Sequence, residues 1–423
     1  MRAAATYSLA TRRGFLSQVS RAQPPLNRVA RGNLCAGCGA CAGLFSSKIK
    51  MVVAAPGFLR PQQVAPLTPD DDATIAAICP GLGERVTAEG RTDSVLWGPY
   101  VEMQTGWATD PEVRFAGSSG GVLSAILQYL LAADHVDAVI QTAASPDLAI
   151  GNATVVSADP AAVLFAAGSR YAPSAPLAHL TAMVAEGKRF AFVGKPCDAA
   201  ALRALCGRDR KVAAAFPVIL SFFCAGVPSH AGGKAVLAAL GTDLDQTERF
   251  RFRGNGWPGR AVALLKDGTE RSMSYHDSWG KILTNYIQHR CKICADGSGM
   301  AADIVCADAW ESDDAGYPLF EEAPGSSLIV ARTVLGAALI AATEAHGHIE
   351  TAAFDVSQLA AMQPGQRWRR GVVLSRLAAL WLLRRPVPRY DGLHLWAAAR
   401  QNSLSQNLKN FLGMLRRILR PSR

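Results

Sequence analysis

The sequence has no apolar run long enough to cross a bilayer: residues 377–383, one of its longest, are followed directly by arginines. A transmembrane helix needs about 20 apolar residues, so we expect no membrane span. The N-terminus also lacks the apolar region of a secretory signal, and we find no internal repeat or low-complexity tract. With 49% hydrophobic residues, the chain is expected to be a globular, cytoplasmic protein.

Acidic residues are absent from the N-terminal end and almost absent from the C-terminal end. Residues 1–33 contain six arginines and no acid, and residues 365–423 contain thirteen basic residues beside the single acid Asp391. Nucleic-acid enzymes usually carry their basic residues inside a folded domain, interleaved with aromatics, so we expect no nucleic-acid partner. We interpret residues 1–33 as a disordered basic leader, with an organellar transit peptide as the alternative.

Cysteine, in contrast, is plentiful, and one group is closely spaced. Cys35, Cys38 and Cys41 have the C-x2-C-x2-C spacing of bacterial ferredoxins, in which small residues let the backbone curl around a cluster. Ferredoxins often place proline after a cluster cysteine, and Cys79 is the only cysteine followed by proline. These four residues are predicted to bind a 4Fe–4S cluster. A zinc ribbon is the alternative, although its usual pairs of C-x2-C spacing differ.

The later cysteines are more scattered. Cys291 and Cys294 form a C-x2-C pair, Cys197 lies between a predicted strand and helix, and Cys224 ends an apolar strand, so all four could face one edge of a sheet. Alternatively, Cys197 is a nucleophile at a helix N-terminus and Cys224 is a core residue. Cys206 and Cys306 have no ligand-like neighbour. Without a secretory signal, none of the ten cysteines is expected in a disulfide.

The order of predicted elements indicates an α/β fold with mixed α+β parts. Helices and strands alternate from about residue 113 and predict a mainly parallel sheet, and three short strand-like runs after residue 249 predict a meander. We divide the chain into a leader (1–33), a small ferredoxin-like iron–sulfur module (34–100), an α/β domain (101–364) and a basic helical extension (365–423). The predicted helices are 121–133, 161–167, one after Pro196, and 231–240, and the predicted strands are 136–142, 189–193, 216–223, 249–253, 260–265 and 270–275.

The turn before the first helix of the α/β domain is the best candidate for anion binding. Glycines in FAGSSGG, residues 115–121, let a phosphate approach the backbone, and a helix N-terminus supplies free N–H groups. The turn is not a GxGxxG fingerprint, and by itself such a sequence is more often an ordinary helix cap.

Seven motifs, taken in order, resemble the coenzyme F420 hydrogenase/dehydrogenase beta-subunit family. They are RFAGSSGG at 114–121, GSRY at 168–171, VGKPC at 193–197, FFC at 222–224, RGNGW at 253–257, RCKIC at 290–294 and ADIVCADAW at 302–310. The resemblance extends over about residues 34–390. It departs from many relatives at Cys306 and Ala307, where they carry glycine before the residue that corresponds to Asp308.

The resemblance implies two 4Fe–4S clusters and FAD, and makes residues 101–364 an FAD- and 4Fe–4S-binding oxidoreductase domain. It makes Cys197, Cys224, Cys291 and Cys294 one cluster site. It also places the flavin near two segments of the chain and leaves the substrate open. The residues that these segments contribute are Arg114, Ser118, Ser119, Gly120, Gly121, Gly168 and Ser169.

This set of cofactors predicts an oxidoreductase that exchanges single electrons through the clusters and two electrons through the flavin. Electrons would pass from ferredoxin or a similar donor to an organic acceptor, or in the reverse direction from reduced coenzyme F420. Lys195 and Asp308 are candidates for proton handling, with a solvent-exposed lysine and a salt-bridged aspartate as the ordinary alternatives. A pure electron-transfer subunit and a zinc-stabilised binding protein remain as other functions.

The C-terminal tail predicts an amphipathic basic helix. Leu404, Leu408, Phe411, Leu415 and Ile418 recur at steps of four and three, with Lys409, Arg416, Arg417 and Arg420 among the polar positions. Such a stripe usually packs on the protein's own core. Because the tail is basic, we also expect a peripheral contact with an anionic membrane surface.

Overall fold

The computed structural model describes residues 23–310 and 322–419. Most of the predicted leader and the predicted tail residue Arg420 therefore lie outside the described residues. The strands are β1 Ile49–Ala54, β2 Phe58–Gln63, β3 Gly83–Arg85, β4 Thr92–Ser94, β5 Gly98–Tyr100, β6 Glu102–Ala108, β7 Ala138–Ala144, β8 Asn152–Ser157, β9 Phe190–Gly194, β10 Val218–Phe222, β11 Thr247–Arg251, β12 Arg260–Leu265, β13 Glu270–Ser274, β14 Ile304–Asp308, β15 Ser327–Ala331, β16 Ile349–Ala353 and β17 Arg389–Asp391.

The helices agree with most of the predicted positions. They are α1 Pro25–Gly32, α2 Ala40–Leu44, α3 Pro69–Ile78, α4 Pro111–Ala116, α5 Val122–Ala132, α6 Pro160–Phe165, α7 Leu180–Ala185, α8 Pro196–Cys206, α9 Arg210–Ala215, α10 His230–Ala239, α11 His289–Lys292, α12 Val334–Ala345, α13 Leu359–Met362, α14 Pro364–Leu382, α15 Leu395–Arg400 and α16 Leu404–Leu419. A π-helical segment, His276–Ile282, and short 3-10 turns complete the list.

An eight-stranded sheet organises the described residues, in the order β16-β6-β15-β14-β10-β9-β7-β8. The four central strands β14, β10, β9 and β7 are parallel, whereas both edges are antiparallel. The α/β fold class is thus confirmed, but the sheet is mixed and only its centre is parallel. Strands β9 and β10 read FAFVG and VILSF and are almost entirely buried, as expected where helices cover both faces.

The three predicted strands of the meander form a separate antiparallel sheet in the order β11-β12-β13. Their alternate apolar residues pack with Val236 and Leu237 of α10. The π-helical segment follows β13 directly, which brings Tyr275 and Trp279 back toward the large sheet. The meander therefore forms one wall of the space above that sheet.

The N-terminal module consists of short elements around the first cysteines. A hairpin of β1 and β2 is followed by α3, which begins with a capping box. The Thr68 hydroxyl accepts a hydrogen bond from the Asp71 N–H, and the Thr68 N–H donates to the Asp71 carboxylate. Helix α2 packs against the α/β domain. The Thr181 hydroxyl of that domain donates a hydrogen bond to the Gly43 carbonyl of α2 at 2.5 Å. The module thus shares its core with the larger domain.

Both basic ends contain structure that packs on the protein. Helix α1 lies inside the predicted leader, yet Leu26 and Val29 are buried, so the prediction of disorder is wrong for Pro25–Gly32. Helix α16 confirms the predicted tail helix, with Met414 fully buried and Phe411 against the same cluster. No helix in the described ranges is long and apolar enough to span a membrane.

Candidate functional site

The first four predicted cysteines surround one cavity in the N-terminal module. Cys35 follows α1, Cys38 lies in the next loop, Cys41 is in α2 and Cys79 caps the C-terminus of α3. All four line a space of about 420 Å³, with apolar neighbours such as Ile75. Helix ends and a loop therefore bring together thiols that are up to 44 residues apart in sequence.

Two glycines allow the tight path of this cysteine loop. Gly37 and Gly39 have φ values of +86° and +84°, a region that side chains with a Cβ rarely adopt. A Cβ on Gly39 would also lie 2.8 Å from the Ala178 backbone nitrogen. The Gly37 N–H points to the Cys35 sulfur at 3.3 Å. The glycines that separate the cysteines are thus required by backbone geometry.

The second four predicted cysteines surround a separate cavity. Cys197 follows β9 and Cys224 follows β10, and these parallel neighbours end at the same edge of the sheet. Cys291 in α11 and Cys294 just after it complete the set around about 340 Å³ of empty space. The sheet edge anticipated from the sequence therefore gathers the scattered thiols.

Arg290 joins the two cysteine sets. It is 2% exposed, lines the second cavity, and donates to the Pro80 carbonyl of the first cysteine loop at 2.8 Å and to Glu84 at 2.9 Å. Its Nε and Nη1 atoms are buried without a hydrogen-bond partner among the described residues. Such a buried cation with unmet donors fits an anionic group in the adjoining cavity.

Gln288 makes a second connection between the sets. Its side-chain amide donates to the Ala36 carbonyl at 3.3 Å and toward the Cys291 sulfur at 3.4 Å. Ala36 itself lines the second cavity. The two cysteine loops are therefore in direct contact.

Helix α14, assigned to the C-terminal extension, closes over the second set. Gln366 donates to the Cys224 carbonyl at 3.1 Å, and Arg369 donates to the Cys291 carbonyl at 3.0 Å and to the Ala225 carbonyl. The start of the extension is therefore part of the site. The glutamines and arginines of QPGQRWRR at 363–370 are only a weak sequence signal for this role.

Burial suppresses ionisation of the thiols. It raises the pKa of Cys41 and of Cys294 to about 12, and that of Cys79 and of Cys224 to about 11. Thiolates in these cavities therefore need positive charge beside them, as metal ligation supplies. Across residues 23–310 and 322–419, no three or more His, Cys, Asp or Glu side chains are arranged to hold a single metal ion.

A larger pocket, with about 1580 Å³ of empty space, adjoins the second cavity. Cys224, Gly226 and Val227 line both. The predicted anion-binding turn forms one side through Ser118, Ser119 and Gly121, and α5 begins immediately after it. The predicted Gly168 and Ser169 lie there too, and the hydroxyls of Ser118 and Ser169 are 2.6 Å apart.

Gly120 and Arg114, which were also predicted to lie near the flavin, make contacts that support the fold. The Gly120 N–H donates to the Ser327 hydroxyl, and a Cβ at Gly120 would lie 2.7 Å from the Gly106 carbonyl oxygen. Arg114 donates to the Gly325 carbonyl at 2.9 Å and lies over the Trp107 ring. Both residues hold the turn against the sheet.

Lys195 lines the pocket but is held by an ion pair. Its ammonium donates to Asp198 at 2.6 Å and to the Ser174 hydroxyl at 2.7 Å. Burial opposes its charge, but the Asp198 carboxylate outweighs burial and raises the pKa of Lys195. Lys195 is therefore a buried cation, and the alternative of a solvent-exposed lysine is wrong.

Asp308 is engaged by Arg253, a residue that the sequence did not single out as functional. The Nη1 and Nη2 atoms of Arg253 each donate to the carboxylate at 2.8 Å, and the carboxylate also accepts from the Trp257 indole at 3.2 Å. The rings of Tyr275 and Trp310 lie over the guanidinium at 4.5 and 5.2 Å. Asp308 thus has the geometry of the salt-bridged alternative, inside an aromatic pocket wall.

The part of the chain that forms most of the large pocket and the second cysteine set matches a known family. A model of the coenzyme F420 hydrogenase/dehydrogenase beta subunit, N-terminal part, matches residues 103–181, and a model of its C terminus matches residues 187–357. Together they span more than half of the chain. The chain belongs to this beta-subunit family.

A solved structure supports the family's fold for this chain. It is a chain of the F420-reducing NiFe hydrogenase complex from Methanosarcina barkeri, with 20% identity and a TM-score of 0.52. The similarity covers 66% of this chain and 91% of that chain. At this identity the likeness concerns the fold.

The two beta-subunit models match a shorter part of the chain than the resemblance, which extended over about residues 34–390. The matched part includes the glycine–serine turn, Arg253, Asp308 and the second cysteine set, but the first cysteine set precedes it. The two remaining cysteines lie apart from both sets: Cys206 ends α8, and Cys306 is buried in β14. All ten cysteines have free thiols in the structure.

Proposed function

We propose that this protein is an iron–sulfur flavoprotein oxidoreductase. The observation that carries the proposal is the placement of two four-cysteine cavities in series with a large pocket. The family is one of hydrogenases and dehydrogenases by its description, which is consistent with electron transfer. When bound, two 4Fe–4S clusters would exchange single electrons and FAD would supply two-electron chemistry.

The donor chemistry of each cavity fits a cluster. Cys35, Cys38, Cys41 and Cys79 would hold the first cluster, and Cys197, Cys224, Cys291 and Cys294 the second. Four thiolates are the usual ligands of a 4Fe–4S cluster. A single zinc ion would instead need four ligands close around one point, about 2.3 Å from each sulfur. Cavities that separate the thiols favour a cluster.

The chain's own residues would tune and insulate these sites. Arg290 supplies positive charge beside both cysteine sets, and its position is fixed by Pro80 and Glu84. Gln288 keeps the two loops in contact, which shortens the distance that an electron must cross. Helix α14 excludes water from the second cavity through Gln366 and Arg369.

The large pocket suits FAD. Ser118, Ser119, Gly121, Gly168 and Ser169 would hold the pyrophosphate, because small residues and hydroxyls at the start of α5 leave room for an anion. Gly120 and Arg114 would act indirectly, by holding the turn in place. Since Cys224 lines both spaces, the second cluster would be the immediate redox partner of the flavin.

An aromatic wall of the large pocket supports a small-molecule reaction over a pure electron-transfer role. Tyr171, Trp279 and Trp310 line it beside the Arg253–Asp308 pair. Flat aromatic surfaces next to a buried ion pair suit a planar, polar substrate. We propose electron exchange with ferredoxin or a similar donor, and hydride exchange with an organic substrate or coenzyme F420, in a reducing cytoplasmic compartment.

An absorption spectrum of anaerobically purified protein tests the proposal. We expect a broad shoulder near roughly 400 nm, flavin bands, and about eight iron ions per chain. Acid extraction followed by chromatography should release FAD. A colourless protein that contains zinc would overturn the proposal, and iron without flavin would favour the electron-transfer subunit.

A further inference from the structure

One end of the molecule carries an arginine-lined cleft away from the redox site. The cleft lies between α1 and the segment that follows α14, and has about 1210 Å³ of space open to solvent. No lining residue in the described part of the chain is acidic. The lining residues are Gln23, Arg28, Arg31, Trp381, Leu382, Arg384, Arg385 and Pro386.

The backbone fixes the arginines in place. Arg384 has a φ of +51°, its N–H donates to the Trp381 carbonyl, and the Arg385 N–H donates to the Leu380 carbonyl, both at 2.9 Å. These are the hydrogen bonds of a Schellman motif, which ends α14. From the other side, Arg28 donates to the Val387 carbonyl at 2.9 Å. The cleft is therefore a built feature of the fold.

Large apolar side chains project beside these charges. Trp381 is 75% exposed and Leu382 is 57% exposed. Helix α16 runs alongside α14, with Ser375 bonded to Asn407 and Met414 packed near Leu380, so the C-terminal ends of both helices lie together. Contiguous exposed apolar groups on a protein mark an interaction surface.

The C-terminal residues that contribute to this surface are strongly basic. Lys409, Arg416 and Arg417 are exposed on α16, and Asp391, the only acid after residue 364, is paired with Arg389 at 3.1 Å. A cleft lined by four arginines and no described acid complements an anionic plane, whereas protein interfaces usually mix both signs. Tryptophan also prefers the interface between lipid and water.

We propose that this end of the molecule docks on an anionic lipid membrane. Trp381 and Leu382 enter the headgroup layer, and Arg28, Arg31 and the Arg384–Arg385 pair contact lipid phosphates. This surface differs from the tail stripe predicted from the sequence, because Phe411, Leu415 and Ile418 of that stripe pack against the protein. The inference goes beyond the proposed redox function and does not depend on it.

Vesicle flotation of the full chain tests the docking surface. We expect binding to vesicles that contain phosphatidylglycerol and no binding to pure phosphatidylcholine. Replacing both Arg384 and Arg385 by glutamine should weaken the partition about 30-fold, since each basic residue near the surface contributes about fivefold. Trp381→Ser should weaken it as well. Because these side chains are exposed, the variants should melt at the wild-type temperature.

A matched pair of arginines serves as the control. Arg208 follows α8 and Arg210 begins α9, both are exposed, and replacing both by glutamine removes the same charge elsewhere. This variant should bind as the wild type does. Absent binding of the wild type to anionic vesicles, or an equal loss in both double variants, would overturn the proposal. Saturable binding of an acidic electron-transfer protein at this end, without vesicle binding, would replace the membrane by a protein partner.

Discussion

At the scale of single residues, the two groups of cysteines should differ from the remaining ones in iron binding. Cys224→Ser removes one of four thiols around the second cavity, whereas Cys206→Ser changes a thiol at the end of α8 that lies outside both cavities. We expect the first variant to lose about half of the iron and the second to keep it all. Iron analysis after anaerobic reconstitution measures the difference, and equal iron in both would contradict the assignment.

Apart from the cysteines, Arg290 is the position at which we expect a substitution to lower the free energy of unfolding strongly. In Arg290→Gln at alkaline pH, an ionised Glu84 carboxylate is buried without its partner, so the free energy of unfolding should fall by about 3–5 kcal/mol. Lys188→Gln breaks an exposed pair with Glu186 and should cost less than about 1 kcal/mol. Urea denaturation compares the two.

The loss of stability caused by Arg290→Gln should depend on pH. Burial raises the pKa of Glu84 to about 7, against the attraction of Arg290. Below this pH Glu84 is protonated and its burial costs little, whereas above it the unpaired charge must be buried. The difference in stability between wild type and Arg290→Gln should therefore grow as the pH rises through about 7. A difference that is constant from acid to alkaline pH would argue against an ionised pair.

At the scale of elements, the turn before α5 should control flavin retention. A side chain at Gly120 would collide with the Gly106 carbonyl and the Ser327 backbone, so Gly120→Val should displace the turn and release FAD. Gly365, where an added Cβ meets nothing within 4 Å, provides the control variant Gly365→Val. Flavin fluorescence after gel filtration reports retention. The first cluster should remain in both variants, and full retention of flavin by Gly120→Val would refute the role of the turn.

Only the buried side of helix α16 should contribute to the stability of the fold. Met414 is fully buried, so Met414→Ala should lower the free energy of unfolding by about 2–5 kcal/mol. Leu412 is 52% exposed, and Leu412→Ala should change stability by less than about 0.5 kcal/mol. Similar small effects for both substitutions in urea denaturation would mean that α16 is only loosely attached.

At the scale of the whole molecule, iron should stabilise the module and the α/β domain together. The first cavity lies between α1, α2 and α3, and the second is closed by α11 and α14, with Arg290 bonded across both. A group that binds only the folded state raises stability in proportion to its affinity. Removing iron with a chelator should lower the melting temperature of the entire transition seen by circular dichroism. Melting of the N-terminal module alone would show that the two sites are independent.

Local patterns in the sequence determined much of this protein. The C-x2-C-x2-C spacing, the glycines between those cysteines, and the position of Cys79 before proline follow from short-range backbone geometry. The helices and strands of the α/β domain follow from hydrophobic periodicity, which is also a local property. The order of the motifs was sufficient to indicate the family.

Only the tertiary structure decided how distant segments meet. The fourth ligand candidate Cys79, the scattered Cys197 and Cys224, the contact of Arg290 with Pro80, and the cover by α14 all join residues far apart in the chain. The antiparallel edges of the sheet and the half-buried stripe of α16 depend on the same long-range packing. Periodicity reveals that a helix has an apolar face, but whether the core or a membrane covers that face depends on the elements that pack beside it.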